Sequence, residues 1–162
     1  MDQDELNGAI TYGCQAHWMN LVIGDILRDT KRAKVVADAT LVLTAFRRTH
    51  ALSQALKTLK VKRPPLPCCT RWGTTTAALS YYNHRWAFMA QAAATHLPPG
   101  HLVRRILETP GSSRSVLDLL NMLVIPTQAV FLLEKASTTI ADAVEIWLHF
   151  YTALNCLSDG IT

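Results

Sequence analysis

The segment Thr70-Arg71-Trp72-Gly73-Thr74 combines residue types that bind nucleic acid. It opens a predicted helix, and the unpaired backbone N–H groups of a helix N-terminus favour phosphate. The guanidinium of Arg71 can donate two hydrogen bonds to a phosphate, and the indole of Trp72 offers a flat face to an unstacked base. A proline-rich connector precedes the segment and contributes the cations Lys62 and Arg63. This pattern predicts a stacking platform beside a phosphate site.

The same segment also has a purely structural interpretation. Thr70 or Thr74 would cap the helix, since a threonine hydroxyl can accept a free N–H of the first turn. Trp72 would then anchor the core or a domain interface, and Arg71 would be an ordinary exposed charge. From these residues alone the structural interpretation is the simpler one, and both remain open.

Cys14 and His17 lie three residues apart at the start of a predicted helix and therefore share one face. Zinc would need two further ligands, for which Cys68, Cys69 and His84 are the candidates. The chain has neither a C-x-x-C pair nor an H-x-x-x-H pair. We therefore favour a buried thiol beside a hydrogen-bonded histidine and predict no metal site.

Acidic residues decide whether the chain can cut DNA, because metal-assisted phosphoryl chemistry needs several converging carboxylates. The 12 Asp and Glu residues are scattered along the sequence. No H-E-x-x-H, no G-x-S-x-G and no phosphate-cradling glycine loop occurs. The sequence therefore predicts that the chain by itself is not an enzyme.

The bulk composition is that of one folded domain of 162 residues with 49% apolar residues and a net charge of +4. Residues 28–72 carry eleven Lys and Arg against two Asp, a basic block that suits a polyanion partner or a solvated helix face. No unbroken apolar run reaches 18 residues, which predicts no membrane span. The acidic start MDQDELNG is unlike a secretory signal, so we expect an intracellular, nuclear protein with reduced cysteines.

Apolar residues recur at helical spacing along the whole chain, and no period-two strand pattern is convincing. The prediction is an all-α bundle of six or seven helices. In the last helix the periodic residues are Ile140, Val144, Trp147, Leu148, Tyr151 and Leu154. The first five predicted helices cover residues 16–29, 34–47, 51–60, 70–94 and 101–108. Ser112 or Ser113 is predicted to cap the next helix, and Pro126 is predicted to kink it. Ser137 is predicted to cap the last helix.

Three motifs in the same order carry a family resemblance. Residues 13–22, Gly-Cys-Gln-Ala-His-Trp-Met-Asn-Leu-Val, resemble the C-x-x-H-x-x-N-L signature of hAT-superfamily transposases and their domesticated relatives. Residues 70–74 look like the T-R-W-(N/G)-(S/T) motif of that family, and Gly73 keeps its small-residue character. Residues 125–143 are similar to its helical segment of the type P-I…L-E…S-T-I-A-D-V. The resemblance covers nearly the whole chain.

The resemblance implies a specific organisation. The family has a ribonuclease-H-like catalytic domain interrupted by a long all-helical insertion. Residues 1–13 would then be the tail of an incomplete ribonuclease-H-like region, and residues 14–162 an insertion-type domain. Cys14 and His17 would border the active site, whereas Arg71 and Trp72 would contact the DNA end, with the indole on a flipped base. The nucleic-acid-binding set would be Thr70, Arg71, Trp72, Lys62 and Arg63.

The carboxylates of the family are the main departure. The family cuts DNA with three carboxylates and a divalent metal, two before the Cys-His motif and one beyond the insertion. Asp2 and Asp4 are too close to Cys14 for those roles, and Glu134 belongs to the insertion segment. We therefore expect a catalytically incomplete fragment without a cofactor, a divalent metal being expected only in an intact parent enzyme.

Three functional hypotheses follow from the sequence. The first is a DNA-binding fragment of a hAT-like transposase or of a domesticated derivative. The alternative is a helical protein–protein interaction module with no DNA binding, which would contact itself or the missing catalytic domain. A zinc-dependent enzyme is the third and the least favoured.

Overall fold

The computed structural model describes residues 14–68 and 72–159, with side chains for residues 14–68 and 73–153. These two ranges contain seven α-helices and no strand, which confirms the all-α prediction. The helices are α1 (Gln15–Arg28), α2 (Thr30–Arg48), α3 (His50–Thr58), α4 (Trp72–His96), α5 (Leu102–Glu108), α6 (Ser112–Leu133) and α7 (Ile140–Asp159).

Helix α2 begins four residues earlier than its apolar pattern predicted, and only Asp29 separates it from α1. The carboxylate of Asp29 accepts the backbone N–H groups of Lys31 and Arg32, both at 3.1 Å. Such a side-chain cap satisfies donors that the first turn leaves unpaired. Residues 30–33, which precede the predicted start at residue 34, are therefore the first turn of α2.

Helix α6 lies at the centre of the bundle and packs against α1, α2, α4, α5 and α7. It runs through Pro126 without ending, and that proline is buried. By length and composition alone, α6 is apolar enough to cross a membrane. The search of the sequence for unbroken apolar runs did not detect this property. The same length and composition are typical of a core helix, and α6 supplies buried residues from Val116 to Val130.

The starts of α6 and α7 differ from the predicted serine caps. Gly111 precedes α6 in a left-handed conformation (φ 80°) that glycine adopts at little cost, and no side chain caps the first turn. Before α7, the hydroxyl and backbone N–H of Thr139 donate to the Asp142 carboxylate, each at 2.7 Å. The backbone N–H of Asp142 donates back to that hydroxyl at 3.2 Å. This reciprocal capping box replaces the predicted cap by Ser137.

The core joins residues of all seven helices into one apolar cluster. Its largest fully buried side chains come from α1 to α6, because each of these helices turns one apolar stripe inward. They include Met19, Ile23, Leu43, Phe46, Leu52, Leu79, Tyr82, Met89, Leu107 and Leu123.

Candidate nucleic-acid interface

The predicted binding motif lies at the junction between the proline-rich connector and α4. Thr70 and Arg71, like Cys69, lie outside the described residues. Trp72 is the first residue of α4, but its side chain also lies outside them. The structure therefore describes the two flanks of the motif, which are the connector up to Cys68 and α4 from Gly73 onward.

The connector is fixed to α2 by two reciprocal hydrogen bonds. The guanidinium of Arg63 donates to the backbone carbonyl of Arg47 at 3.1 Å. The guanidinium of Arg47 in turn donates to the carbonyl of Pro64 at 2.9 Å. Carbonyls in the last turn of a helix lack intrahelical partners, so Arg63 satisfies an acceptor that α2 leaves open.

The connector is also fixed to α4. The Tyr81 hydroxyl donates to the backbone carbonyl of Lys62 at 2.8 Å. The backbone N–H of Cys68 donates to the Thr74 hydroxyl at 2.7 Å. Thr74 therefore holds the chain before the motif, in contrast to its predicted role as a cap of α4. These bonds define the path of the chain on both sides of residues 69–71.

The first turns of α4 are fastened to α6. The hydroxyls of Thr76 and Thr127 lie 2.8 Å apart, and the side chain of Thr75 is buried. At Gly73 a β-carbon would lie only 3.2 Å from Cζ of Phe131. A glycine therefore allows the Phe131 ring to approach the backbone at the start of α4.

Phe131 is a candidate binding residue that sequence reasoning missed. Its ring contacts the second residue of α4, yet 59% of the residue is exposed. Exposed aromatic faces are the surfaces on which single-stranded bases stack. The sequence grouped Phe131 with the apolar residues after Pro126, and only its proximity to Gly73 relates it to the motif.

Basic residues lie on the connector, in the last turn of α2 and on α4 one turn after Tyr81. We define the basic patch as Arg47, Lys62, Arg63 and Arg85. Burial raises the pKa of Tyr81, and the nearby positive charge of Arg85 opposes that rise. Tyr81 therefore bonds to the backbone of Lys62 and lies close to the charge of Arg85.

Carboxylates are absent from the sequence around this patch. No Asp or Glu occurs between Asp38 and Glu108. Among the described residues, no member of the basic patch forms an ion pair. Its positive charges are therefore available to a polyanion. The acid-free stretch is the sequence signal that would have added Arg47 and Arg85 to the predicted set.

Cys14 and His17 are both exposed at the start of α1, which contradicts the predicted buried thiol–histidine pair. The inward face of α1 is instead formed by Ala16, Met19, Ile23 and Leu27. Trp18, predicted on the apolar face, is also more than half exposed. Helical spacing identified the helix and its buried residues Met19, Ile23 and Leu27, and Trp18 is the exception.

The candidate zinc ligands that the structure describes, Cys14, His17, Cys68 and His84, do not form a metal-binding group. The Nδ1 atom of His84 lies 2.7 Å from the carbonyl oxygen of Ser80, within its own helix. Over the described ranges, no group of three or more His, Cys, Asp or Glu side chains is arranged to hold a metal ion. Cys69 lies outside those ranges.

Helix α7 has an exposed apolar stripe, defined as Ile140, Val144, Leu148 and Tyr151, each more than half exposed. These residues belong to the periodic set that predicted the helix. The opposite side of α7 faces the bundle, where the Trp147 indole N–H donates to the Gln15 side chain at 2.9 Å. Ala143 and Phe150 are buried on that side. Leu154 lies among the residues whose side chains are not described.

Comparison with known proteins does not assign a family. No protein-family model, no curated protein and no solved structure matches this chain. The resemblance to hAT-superfamily transposases therefore rests on the three sequence motifs alone.

Proposed function

We propose that this chain is a non-catalytic nucleic-acid-binding domain that contacts DNA at the N-terminal end of α4. The observation that carries the proposal is the basic patch, whose four cations have no carboxylate partner among the described residues. Neutralising phosphates with Lys and Arg releases condensed counterions, which supplies most of the free energy of non-specific binding.

In the proposed binding mode, the connector and α4 divide the contacts by chemistry. Lys62 and Arg85 contact phosphates, and Arg71 adds a bidentate phosphate contact at the helix end. Trp72 and Phe131 provide aromatic faces for bases that have left the stack. This mode favours hairpin ends and single strands over an intact duplex, because only their bases are free to stack on protein.

The motif resemblance to hAT-superfamily transposases supports the choice of DNA as the nucleic acid. Under this proposal the helical bundle corresponds to the insertion domain of that family, and the protein acts in the nucleus. Cys14 and His17 would form the side of the bundle nearest to a catalytic domain. No DNA cleavage is proposed for this chain.

Fluorescence anisotropy with a labelled DNA hairpin and a labelled single strand tests the proposal. Replacing both residues in Arg71→Ala/Trp72→Ala should weaken binding at least tenfold. Arg28→Ala is the matched control, because Arg28 lies near the start of α2, at the opposite end of that helix from Arg47. Equal affinities for the double variant and the unmodified chain would refute nucleic-acid binding at this end of α4.

A second candidate function is protein interaction through the exposed apolar stripe of α7. Exposed apolar residues on one helix face form the kind of surface that a partner helix covers. The partner we propose is a second copy of the chain, because Glu145 and His149, which lie 3.8 Å apart within α7, are exposed beside the stripe. In an antiparallel α7 pair, the carboxylate of one copy would lie near the imidazole of the other.

Sedimentation velocity tests this second function. Leu148→Gln/Tyr151→Gln should shift a dimer to monomer, whereas Leu59→Gln, an exposed leucine outside α7, should not. A dimer with a binding free energy of more than ~5.5 kcal/mol would be populated at about 100 µM. A wild-type chain that stays monomeric up to that concentration would contradict self-association.

A further inference from the structure

A cavity of about 740 Å³ lies between the first half of α2, the α5–α6 turn and the middle of α4. Its volume is in the range of pockets that hold small organic ligands. It lies apart from the basic patch, with which it shares no residue. The lining residues that carry the argument are Lys31, Lys34, Tyr82, Arg105, Ser112 and Ser115.

Positive charge exceeds negative charge in the cavity lining, which contains Lys31, Lys34 and Arg105 against Asp38 and Glu108. Both carboxylates already have partners. Lys34 pairs with Asp38 at 2.7 Å, and Arg104, outside the lining, pairs with Glu108 at 2.6 Å. Among the side chains that the structure describes, those of residues 14–68 and 73–153, Lys31 and Arg105 form no ion pair, so two cations from two helices remain available to an anion.

Hydroxyl groups, which can donate hydrogen bonds, also line the cavity. The hydroxyls of Tyr82 and Ser112 are 3.1 Å apart, and Ser115 adds a third hydroxyl one turn further along α6. Gly111 and Ser112 place the uncapped first turn of α6 in the lining. The partial positive charge at this helix end adds to the two cations.

Apart from Thr109, the rest of the lining is apolar. Val35 and Ala39 come from α2, Leu102 and Ile106 from α5, and Val116 from α6. A cavity with cations and hydroxyls among apolar walls suits a ligand that has an anionic head and a less polar body. An inorganic anion alone would leave the apolar wall without a contact.

We propose that this cavity binds a small phosphorylated molecule, with its phosphate between Lys31, Arg105 and the first turn of α6. Arg105 provides the bidentate contact that a planar guanidinium makes to phosphate, and Lys31 provides a point charge. The Ser112 hydroxyl, which lies 3.1 Å from the buried Tyr82 hydroxyl, completes the set of donors. This site does not depend on the nucleic-acid interface proposed above.

Isothermal titration of the full chain with inorganic phosphate, adenosine 5′-monophosphate and adenosine tests the site. We expect saturable binding of the monophosphate, weaker binding of phosphate, and none of adenosine. Lys31→Ala/Arg105→Ala should raise the Kd for the monophosphate at least tenfold. Arg114→Ala should leave the Kd unchanged, because Arg114 is an exposed cation on α6 that does not line the cavity and already pairs with Asp118 at 3.0 Å.

Amide chemical shifts decide where the ligand binds and whether the variants fold. Addition of the monophosphate should move the signals of residues 111–115, and both variants should keep the wild-type spectrum elsewhere. Binding that survives in the folded double variant would overturn the proposal, as would equal losses in the Arg114 control. The DNA hairpin serves as the second phosphate source. If it displaces the monophosphate, the cavity is a DNA contact and the small-molecule proposal fails.

Discussion

The hydroxyl of Thr76 lies 2.8 Å from the hydroxyl of Thr127 and joins the first turns of α4 to the middle of α6. Thr127 is buried, and Thr76 is half-buried. This bond connects the helix that begins at the binding motif to the central helix of the bundle.

Thr127→Val should destabilise the fold by about 1 kcal/mol, because it leaves the Thr76 hydroxyl without its partner inside the protein. Urea unfolding followed by circular dichroism measures the change. Thr76→Val/Thr127→Val should cost less than the sum of the single variants, since neither polar atom then remains. Additive losses would show that the two hydroxyls do not interact.

Gly73→Ala should separate stability from binding. Alanine favours a helix over glycine, so the free energy of unfolding should rise by up to about 0.5 kcal/mol, provided that the exposed Phe131 ring moves away from the new β-carbon. The displaced ring should then stack less well on single-stranded DNA. Urea unfolding and anisotropy measure the two effects. In a Phe131→Ala background the same substitution should leave DNA affinity unchanged, and a loss there would contradict the role of Phe131.

The salt dependence of DNA binding should identify the phosphate contacts. For single strands, log K falls with log salt by about 0.7 per neutralised phosphate, so Lys62→Ala and Arg85→Ala should each reduce the slope by about that amount. Anisotropy at four or more salt concentrations gives the slopes. Arg28→Ala, with its ion pair to Asp25, should keep the wild-type slope. Unchanged slopes in both patch variants would exclude these residues as phosphate contacts.

The start of α7 should depend on pH. The backbone N–H of Thr139, and then its hydroxyl, donate to the Asp142 carboxylate and lower its pKa below the ordinary value of 3.8. A lowered folded-state pKa means that the stabilising contribution is present above the unfolded pKa and is lost as pH falls through the folded pKa. Hydrogen exchange in residues 140–143 should therefore speed up below about pH 4, relative to other helix ends, through loss of this capping interaction. Asp142→Asn should show no such pH dependence, and an identical profile in both proteins would refute the cap.

Periodicity predicted the helices well because each buries an apolar stripe, but it could not show which residues close each helix. Asp29 extends α2 toward α1 through a local cap, which a pattern of apolar residues does not contain. Periodicity also fails where a helix has apolar residues on two faces. On α1 the spacing includes both Trp18, which is more than half exposed, and Met19, which is buried. On α7 most of the periodic residues face outward.

The candidate site was predicted only in its local part. Lys62 and Arg63 stood out as cations beside prolines, and the motif at residues 70–74 was recognised from its spacing. Arg47 joins the patch through hydrogen bonds to residues 16 and 17 positions away, and Tyr81 bonds to the connector across 19 positions. Contacts at such separations depend on how the helices pack, which no local pattern determines.

The hydrogen bonds of Arg47, Arg63 and Tyr81 have a consequence for the thermodynamics of binding. A proline-rich connector without them would lose conformational freedom each time a polyanion docked on it, and affinity would fall accordingly. Here that freedom is already lost when the chain folds. Under the proposed function, an incoming phosphate backbone would encounter a prearranged surface, and its attraction to the cations would not be offset by ordering the connector.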